Sequence, residues 1–300
     1  MHIVMAGASG LIGSSMSAAF RSAGHSVVSL VRRPPAGATE IRWDPAAGVL
    51  DPGVLAGADA VVNLAGAGIG DRPWTRKRVA ELFSSRLGPT RTLVQAMAQL
   101  DAPPATFISQ SASGFYGDAG NTVLREDAPA GSGTLAQICV EWEQAALMAP
   151  AGVRVVTPRT GVVFSRSGGA LGKLLPLLRL GVGGPFGNGR QFWPWVTLPD
   201  VTAAFLFLLE TPVSGAVNVN APEQANVNTI VAALAHALHR PAILRVPAPV
   251  LRTVMPGLGE ELLLHSQRME PAVLSWAGFQ WQHGRLEDAA RWVAGQDPAA

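Results

Sequence analysis

The stretch His2-Ile3-Val4-Met5-Ala6-Gly7-Ala8-Ser9-Gly10-Leu11-Ile12-Gly13 decides the fold. Its first five residues read as a short strand, apolar from Ile3 onward, the pattern of a strand covered on both faces. The next seven follow the spacing G-x-x-G-x-x-G and open a helical stretch over residues 11–23 that stops at Gly24, a residue type that closes helices in the left-handed conformation. Glycine permits the tight turn, lets backbone approach a pyrophosphate, and lets helix pack closely on strand. The exposed N–H groups and partial positive charge of the helix start then favour phosphate. The strand–turn–helix therefore predicts a dinucleotide site at Gly7, Ala8, Ser9, Gly10, Leu11, Ile12 and Gly13.

Outward from this unit, β-branched runs alternate with helical stretches. Strands are expected at residues 26–31, 60–64, 106–111 and 154–158, and helices at 76–100 and 135–148. Such alternation predicts an α/β fold, a Rossmann-type doubly wound parallel sheet. After residue 165 glycine and proline become dense, as in Gly181-Val-Gly-Gly-Pro-Phe-Gly-Asn-Gly189, and the alternation weakens. A helix at 201–210, a strand at 216–220 and a helix at 229–238 follow. The expected organisation is a nucleotide-binding domain over residues 1–165, completed by a segment near 195–220, and a smaller C-terminal substrate lobe over 166–300.

The second strand ends in Val31-Arg32-Arg33, and no carboxylate follows until Glu40. An NAD site usually places an acid there for the ribose 2′-hydroxyl, whereas a guanidinium suits a 2′-phosphate. The expected cofactor is NADP(H); the alternative is two solvated arginines on a surface turn. Leu64-Ala65-Gly66, small residues after the next long strand, are expected to form a wall of the same site.

Composition narrows the partners. Hydrophobic residues make up 48% and charged residues 15% of 300, and mean hydropathy is +0.24. That composition suits a large core and not a disordered chain. With no apolar run of about 18 residues and no leader-like N-terminus, no membrane partner and a cytoplasmic location are expected. Cys139 is the single cysteine and the formal charge is +2 with scattered arginines. No disulfide, no metal site and no nucleic-acid partner are therefore expected. His236 and His239 are spaced i, i+3 without a third ligand. Gly172-Lys173 lacks the glycine and hydroxyl of a P-loop, and Ser111 lacks the glycine two residues before it that a nucleophile elbow needs. The expected partner is a small-molecule substrate, for a monomer or homodimer.

Further motifs run nearly end to end: Trp43-Asp-Pro45, Asn63-Leu-Ala-Gly66, Trp74, Ser85-Arg86, Ser111-Ala-Ser-Gly-Phe-Tyr-Gly117, Cys139-Val-Glu-Trp-Glu143 and Arg159-Thr-Gly-Val-Val163. Gly168-Gly-Ala170, Gly183-Gly-Pro185, Gly189-Arg-Gln191, Trp195, Asp200, Pro247-Ala-Pro249, Leu262-Leu-Leu264, Ser266-Gln-Arg268, Pro271 and Gly278-Phe279 continue them. Together they resemble the atypical, extended short-chain dehydrogenase/reductase superfamily, and more narrowly its YfcH-like epimerase family, including the small C-terminal domain of that group at about 247–296. The resemblance implies that Glu81, Arg86 and Ser109 lie by the cofactor, with Pro158, Arg159 and Val163 near the nicotinamide.

The wider superfamily uses a Tyr-x-x-x-Lys pair, in which the lysine lowers the phenol pKa. The one tyrosine of this chain, Tyr116, is followed four residues on by Gly120. By resemblance the pair would fall at Leu135 and Cys139. Ser111 and Tyr116, at and after the end of the strand expected over 106–111, are the remaining catalytic candidates, as orienters of a substrate carbonyl; a buried Tyr116 hydroxyl satisfied by a loop is the alternative. The aromatic loop Gln191-Phe-Trp-Pro-Trp195 is either core or a flat substrate wall. Two functions follow. One is an NADP(H)-dependent oxidoreductase or epimerase-like enzyme acting on a small carbonyl, alcohol or sugar-nucleotide-like substrate. The other is a non-catalytic NADP(H) sensor or scaffold, with a possible link to cell division drawn from labels that some relatives carry.

Overall fold

The computed structural model describes residues 1–166 and 168–296. Along the chain run β1 (His2–Ala6), α1 (Leu11–Ser22), β2 (Ser26–Val31), β3 (Glu40–Arg42), β4 (Ala60–Asn63), α2 (Arg76–Met97), β5 (Thr106–Ser109), β6 (Ser111–Ala112), β7 (Val123–Leu124) and α3 (Thr134–Leu147). Then come β8 (Arg154–Thr160), β9 (Val162–Phe164), α4 (Leu171–Arg179), β10 (Phe192–Trp193), β11 (Trp195–Thr197), α5 (Leu198–Glu210), β12 (Gly215–Val219), β13 (Ala225–Asn226) and α6 (Val227–Ala237). α7 (Ala248–Val254), β14 (Arg268–Met269), α8 (Ala272–Trp276) and α9 (Leu286–Ala294) close the sequence.

The main sheet has the order β12-β8-β5-β4-β1-β2-β3, with β6 added on β8. Every pairing in it is parallel. Growth of the sheet reverses between β1 and β4, which leaves a crevice beyond their C-terminal ends, where open α/β sheets receive ligands. β1 shows why Ile3 to Ala6 are all apolar and buried. Ile3 and Met5 pack on one face with Met16 and Phe20 of α1 and Val201 and Phe205 of α5. Val4 and Ala6 pack on the other with Leu93 and Met97 of α2. Burial of each large side chain stabilises the sheet by roughly 1.5–3 kcal/mol.

Local chemistry sets the helix starts. Thr75, Thr197 and Asn226 each accept a backbone N–H three residues on, at the starts of α2, α5 and α6. These caps start α5 and α6 earlier than apolar periodicity alone suggests. The expected strand 106–111 is interrupted at Gln110, so that β6 pairs with β8 rather than continuing β5. β3 is a further strand that the sequence reading did not contain.

The C-terminal lobe has its own core. Leu171 and Leu175 of α4, Trp193, Trp195, Ile230 and Leu234 of α6 and Val293 of α9 form it. The ring of Trp195 stacks on Phe164 at 5.7 Å, and Phe186 meets Trp193 at 4.8 Å. The aromatic loop at 191–195 is therefore largely packing. No helix among the described residues is long and apolar enough to cross a membrane, and none of their His, Cys, Asp and Glu side chains cluster to hold a metal ion.

Candidate functional site

A cleft of about 1730 Å³ opens over the β1–β4 crevice, between the glycine loop, the end of β2, the turn after β4 and α2. Gly7 holds a positive φ of 80° and lies so close to the β4 turn that a Cβ would stand 2.6 Å from the Leu64 carbonyl carbon. A Cβ on Gly13 would run into the Gly7 carbonyl oxygen. Both glycines are thus required by the fold itself. Gly10 is different: a Cβ there meets nothing nearer than 3.6 Å, and the residue is exposed at the cleft. Its bareness keeps open the space in front of the α1 N-terminus. No side chain caps that terminus and its first turn carries no acid. The result is a bare positive helix end facing an open cleft, an anion cradle.

Ala8 and Ser9 line the same cleft, whereas Leu11, Ile12 and Gly13 turn into the helix behind it. Leu11 carries the loop at Gly168 and Gly169 against its tip. Val31, Arg32 and Arg33 line the far end. The two arginines differ. Arg33 forks onto Glu40 with Nη1 and Nη2 at 2.8 and 2.6 Å, which holds the Glu40 carboxyl below the usual carboxylate range. Glu40 is thereby tied to an arginine at the mouth of the cleft. Arg32 is exposed and makes no hydrogen bond or ion pair with another described residue. Trp43, Arg76 and Arg91 also line the cleft.

The turn after β4 is built in detail. Asn63 is fully buried; its Oδ1 accepts the Ala65 N–H at 3.1 Å and its Nδ2 donates to Thr90 Oγ1 at 2.8 Å and to Ser109 Oγ at 3.3 Å. One residue pair on α2 grips both sides of Ala67: Ser85 Oγ accepts its N–H at 3.0 Å, and Arg86 Nη2 donates to its carbonyl at 3.0 Å. Leu64, Ala65 and Gly66 are thereby held as cleft wall. Arg86 does not face the cleft as the resemblance implied. It lies buried behind Gly66, against Trp142, and burial lowers its pKa to about 10. Ser109 is likewise buried, as a partner of Asn63. Glu81 does line the cleft and pairs with Arg78 at 2.8 Å.

The two catalytic candidates are elsewhere. Ser111 is fully buried and its hydroxyl donates to Glu143 Oε1 at 2.6 Å. The Tyr116 hydroxyl donates to Asn218 Oδ1 at 2.7 Å and accepts from Arg159 Nη1 at 2.9 Å. Burial pushes its pKa up to about 12, against the pull of Arg159. Neither residue lines the cleft, and both hydroxyls, expected to orient a substrate carbonyl, are engaged in a buried network instead. Arg159, expected near a nicotinamide, is the hub of this buried network. Its Nε and Nη2 each lie 2.9 Å from a Glu143 carboxylate oxygen, and its guanidinium covers the Phe115 ring at 3.4 Å. Burial opposes its charge, yet the Glu143 hydrogen bonds leave its pKa raised. Pro158 is buried in β8 beside it, and Val163, in β9, is half-buried against the sheet core. Sequence reading missed Glu143, although it ends the Cys139–Glu143 motif. Cys139, at the expected lysine position, is a buried thiol whose pKa burial raises to about 12.

The C-terminal lobe reaches the start of α3. Glu261 accepts the backbone N–H groups of Thr134 and Leu135 at 2.9 and 2.7 Å. Lys173 Nζ on α4 donates to the Gly70 carbonyl at 2.8 Å, bringing the lobe against the loop that follows the cleft wall.

Known proteins share this architecture. Over 289 residues the chain is 42% identical to the epimerase family protein Mb2239 of Mycobacterium bovis, covering 96% of this chain and 95% of that one. It is 34% identical to epimerase family protein SDR39U1 of Bos taurus, covering 98% and 99%. The crystal structure of human epimerase family protein SDR39U1 with NADPH superposes with a TM-score of 0.91 at 31% identity, over 98% of this chain and 99% of that one. Residues 246–293 match a domain of unknown function, DUF1731. With residues 3–222 matching its family pattern, the chain belongs to the NAD dependent epimerase/dehydratase family.

Proposed function

We propose that the protein binds NADP(H) in the β1–β4 cleft and acts as an oxidoreductase or epimerase-like enzyme on a small carbonyl, alcohol or sugar-nucleotide-like substrate. The observation that carries this reading is the unfilled cradle at Gly10, in front of an uncapped helix start, with unpaired Arg32 at the other end of one cleft. The residues fit the cofactor's two anionic parts. The Gly10 N–H is turned back onto the Gly7 carbonyl, so the backbone N–H groups of the first turn of α1 suit the pyrophosphate, and the Arg32 guanidinium suits a ribose 2′-phosphate. Arg33 is occupied by Glu40, so the discrimination is assigned to Arg32. That human SDR39U1 has been crystallised with NADPH supports the same cofactor here. When bound, the nicotinamide supplies hydride exchange with a carbon of the substrate. Asn63, Ser85 and Arg86 hold the wall against which the cofactor lies.

Residues 1–165, with a segment near 195–220, are assigned to the cofactor half and the remainder to the substrate lobe. Membership in the narrower YfcH-like group is also proposed, supported by the C-terminal match. The burial of Ser111 and Tyr116 and the lack of a Tyr-x-x-x-Lys pair favour a second reading, an NADP(H)-binding sensor without turnover. NADPH absorbance followed across a panel of aldehydes, ketones and nucleotide sugars tests the choice. Substrate-dependent oxidation supports the enzyme; tight NADPH binding with no oxidation across the panel supports the sensor.

A further inference from the structure

Between Glu143 and Asp200, and again between Glu223 and Glu260, the chain contains no aspartate or glutamate. These two acid-free segments meet on one side of the C-terminal lobe. Arg240 Nε donates to the Arg179 carbonyl at 2.9 Å, and the Gly181 turn packs on Pro241. Val246 N–H donates to the Pro185 carbonyl and Gly187 N–H to the Val246 carbonyl. The paired segments present aliphatic side chains to solvent. Leu180 and Ile243 are each 74% exposed, joined by Leu177, Val182 and Leu244. α4 is amphipathic in the matching sense: Leu171, Leu175 and Leu178 are buried in the lobe core while Leu177 points outward.

Charge surrounds this patch with one sign. Arg179, Arg240 and Arg245 lie in it or at its edge, and none forms an ion pair with a carboxylate among the described residues. The acids of the neighbouring C-terminal segment are engaged elsewhere. Glu260 pairs with Arg252, Glu270 with Arg125, and Glu287 and Asp288 with Arg291. Glu261 is held by the start of α3.

We propose that this face of the lobe docks on anionic phospholipid bilayers, with Leu177, Leu180, Ile243 and Leu244 entering the headgroup–acyl boundary and Arg179, Arg240 and Arg245 meeting lipid phosphates. An exposed apolar patch marks an interaction site, and aliphatic residues with flanking arginines are the composition of an interfacial membrane contact. A second copy is the poorer occupant. A two-fold contact would set the same unpaired arginines against each other with no carboxylate between them. A protein partner is also less suited, because Leu and Val are under-represented among interface anchors, which favour Trp, Tyr and Arg, and the one exposed aromatic among the exposed large hydrophobics, Trp276, lies on α8 against β12. With no spanning helix among the described residues, the contact is peripheral. It departs from the expectation of no membrane partner, which rested on the lack of such a segment.

Cosedimentation of the full chain with vesicles tests the assignment, using equimolar phosphatidylglycerol and phosphatidylcholine beside phosphatidylcholine alone. Binding is expected only to the anionic vesicles and is expected to weaken as salt rises. Leu180→Glu with Ile243→Glu should lower the partition coefficient by roughly tenfold or more. Leu177→Gln with Leu244→Gln should weaken it in the same direction should the first variant misfold. Trp276→Glu, elsewhere on the surface, should leave it unchanged. No binding to anionic vesicles at low salt overturns the proposal, as does wild-type binding by a folded double variant. A concentration-dependent dimer that the Leu180/Ile243 variant disperses would also overturn it, by giving the face to a second copy.

Discussion

Arg159 of β8 grips Glu143 of α3 through two parallel hydrogen bonds of 2.9 Å, inside the protein and within reach of both Ser111 and Tyr116. The pair ties the sheet to a helix that covers it, and through Tyr116 and Asn218 it reaches the backbone of Leu124 and Glu270. Hydroxyl groups at a strand end that look catalytic in the sequence are thereby consumed by architecture.

Removal of one partner leaves a buried charge without its counterpart. Glu143→Gln is expected to cost about 3–5 kcal/mol of stability, while Glu143→Leu combined with Arg159→Met should recover much of it. Urea denaturation of the three proteins measures both. A Glu143→Gln loss below about 1 kcal/mol, the scale of an exposed pair, would refute the structural role.

The three glycines of the loop should separate into two classes. Gly13→Ala drives a methyl group into the Gly7 carbonyl and should cost about 1–3 kcal/mol or more. Gly10→Ala meets only ordinary contacts, so its melting temperature should stay near wild type while NADPH affinity drops at least about tenfold, because the methyl group enters the space of the phosphates. Thermal melts and NADPH titrations of both variants decide it. Equal stability losses would mean that Gly10 is also structural.

Glu126 provides a pH test. Burial raises its carboxyl pKa, despite N–H donors from Asn218 and Val273. A carboxyl whose folded pKa lies above its unfolded value contributes most below the unfolded pKa, and that contribution is lost as pH climbs through the folded pKa. Glu126→Gln keeps an acceptor and removes the titration. Its melting temperature relative to wild type should therefore rise between pH 4 and pH 8 (about one unit or less below and several above an ordinary carboxylate pKa). A difference that stays flat or falls over that range contradicts the assignment.

Cys139 should be inert in the native protein. Its thiol is buried and its pKa is raised to about 12, so the reactive thiolate is scarce at neutral pH. An aromatic disulfide reagent should label it only after denaturant is added. Rapid labelling of the folded protein would show that α3 opens readily.

Much of the fold was legible because it is local. The apolar run of β1, the glycine spacing and the closing Gly24 are all contiguous, and the cleft lies where they point. β3 was not legible, since three residues carry no usable periodicity. The bond between Tyr116 and Asn218 joins residues 102 positions apart, and nothing in the sequence near either announces it. Ser85-Arg86 and Glu143 were visible as motif residues. That Ser85 and Arg86 clasp the two peptide groups flanking Ala67, and that Glu143 closes a buried ion pair, follows only from packing α2 and α3 onto the sheet. The difference between Arg32 and Arg33 was also hidden, because it depends on β3 bringing Glu40 back beside the end of β2.

The central claim is that the cleft holds NADP(H), with Arg32 reading the 2′-phosphate. Parallel calorimetric titrations of the cofactor-free protein and its Arg32→Ala variant with NADPH and NADH test it most directly. Charged hydrogen bonds of about 1.5–3 kcal/mol correspond to roughly a tenfold to hundredfold preference for NADPH. That preference should disappear in Arg32→Ala while NADH binding stays unchanged. Failure of both nucleotides to bind the wild-type protein, or an NADPH preference that survives Arg32→Ala, would contradict it.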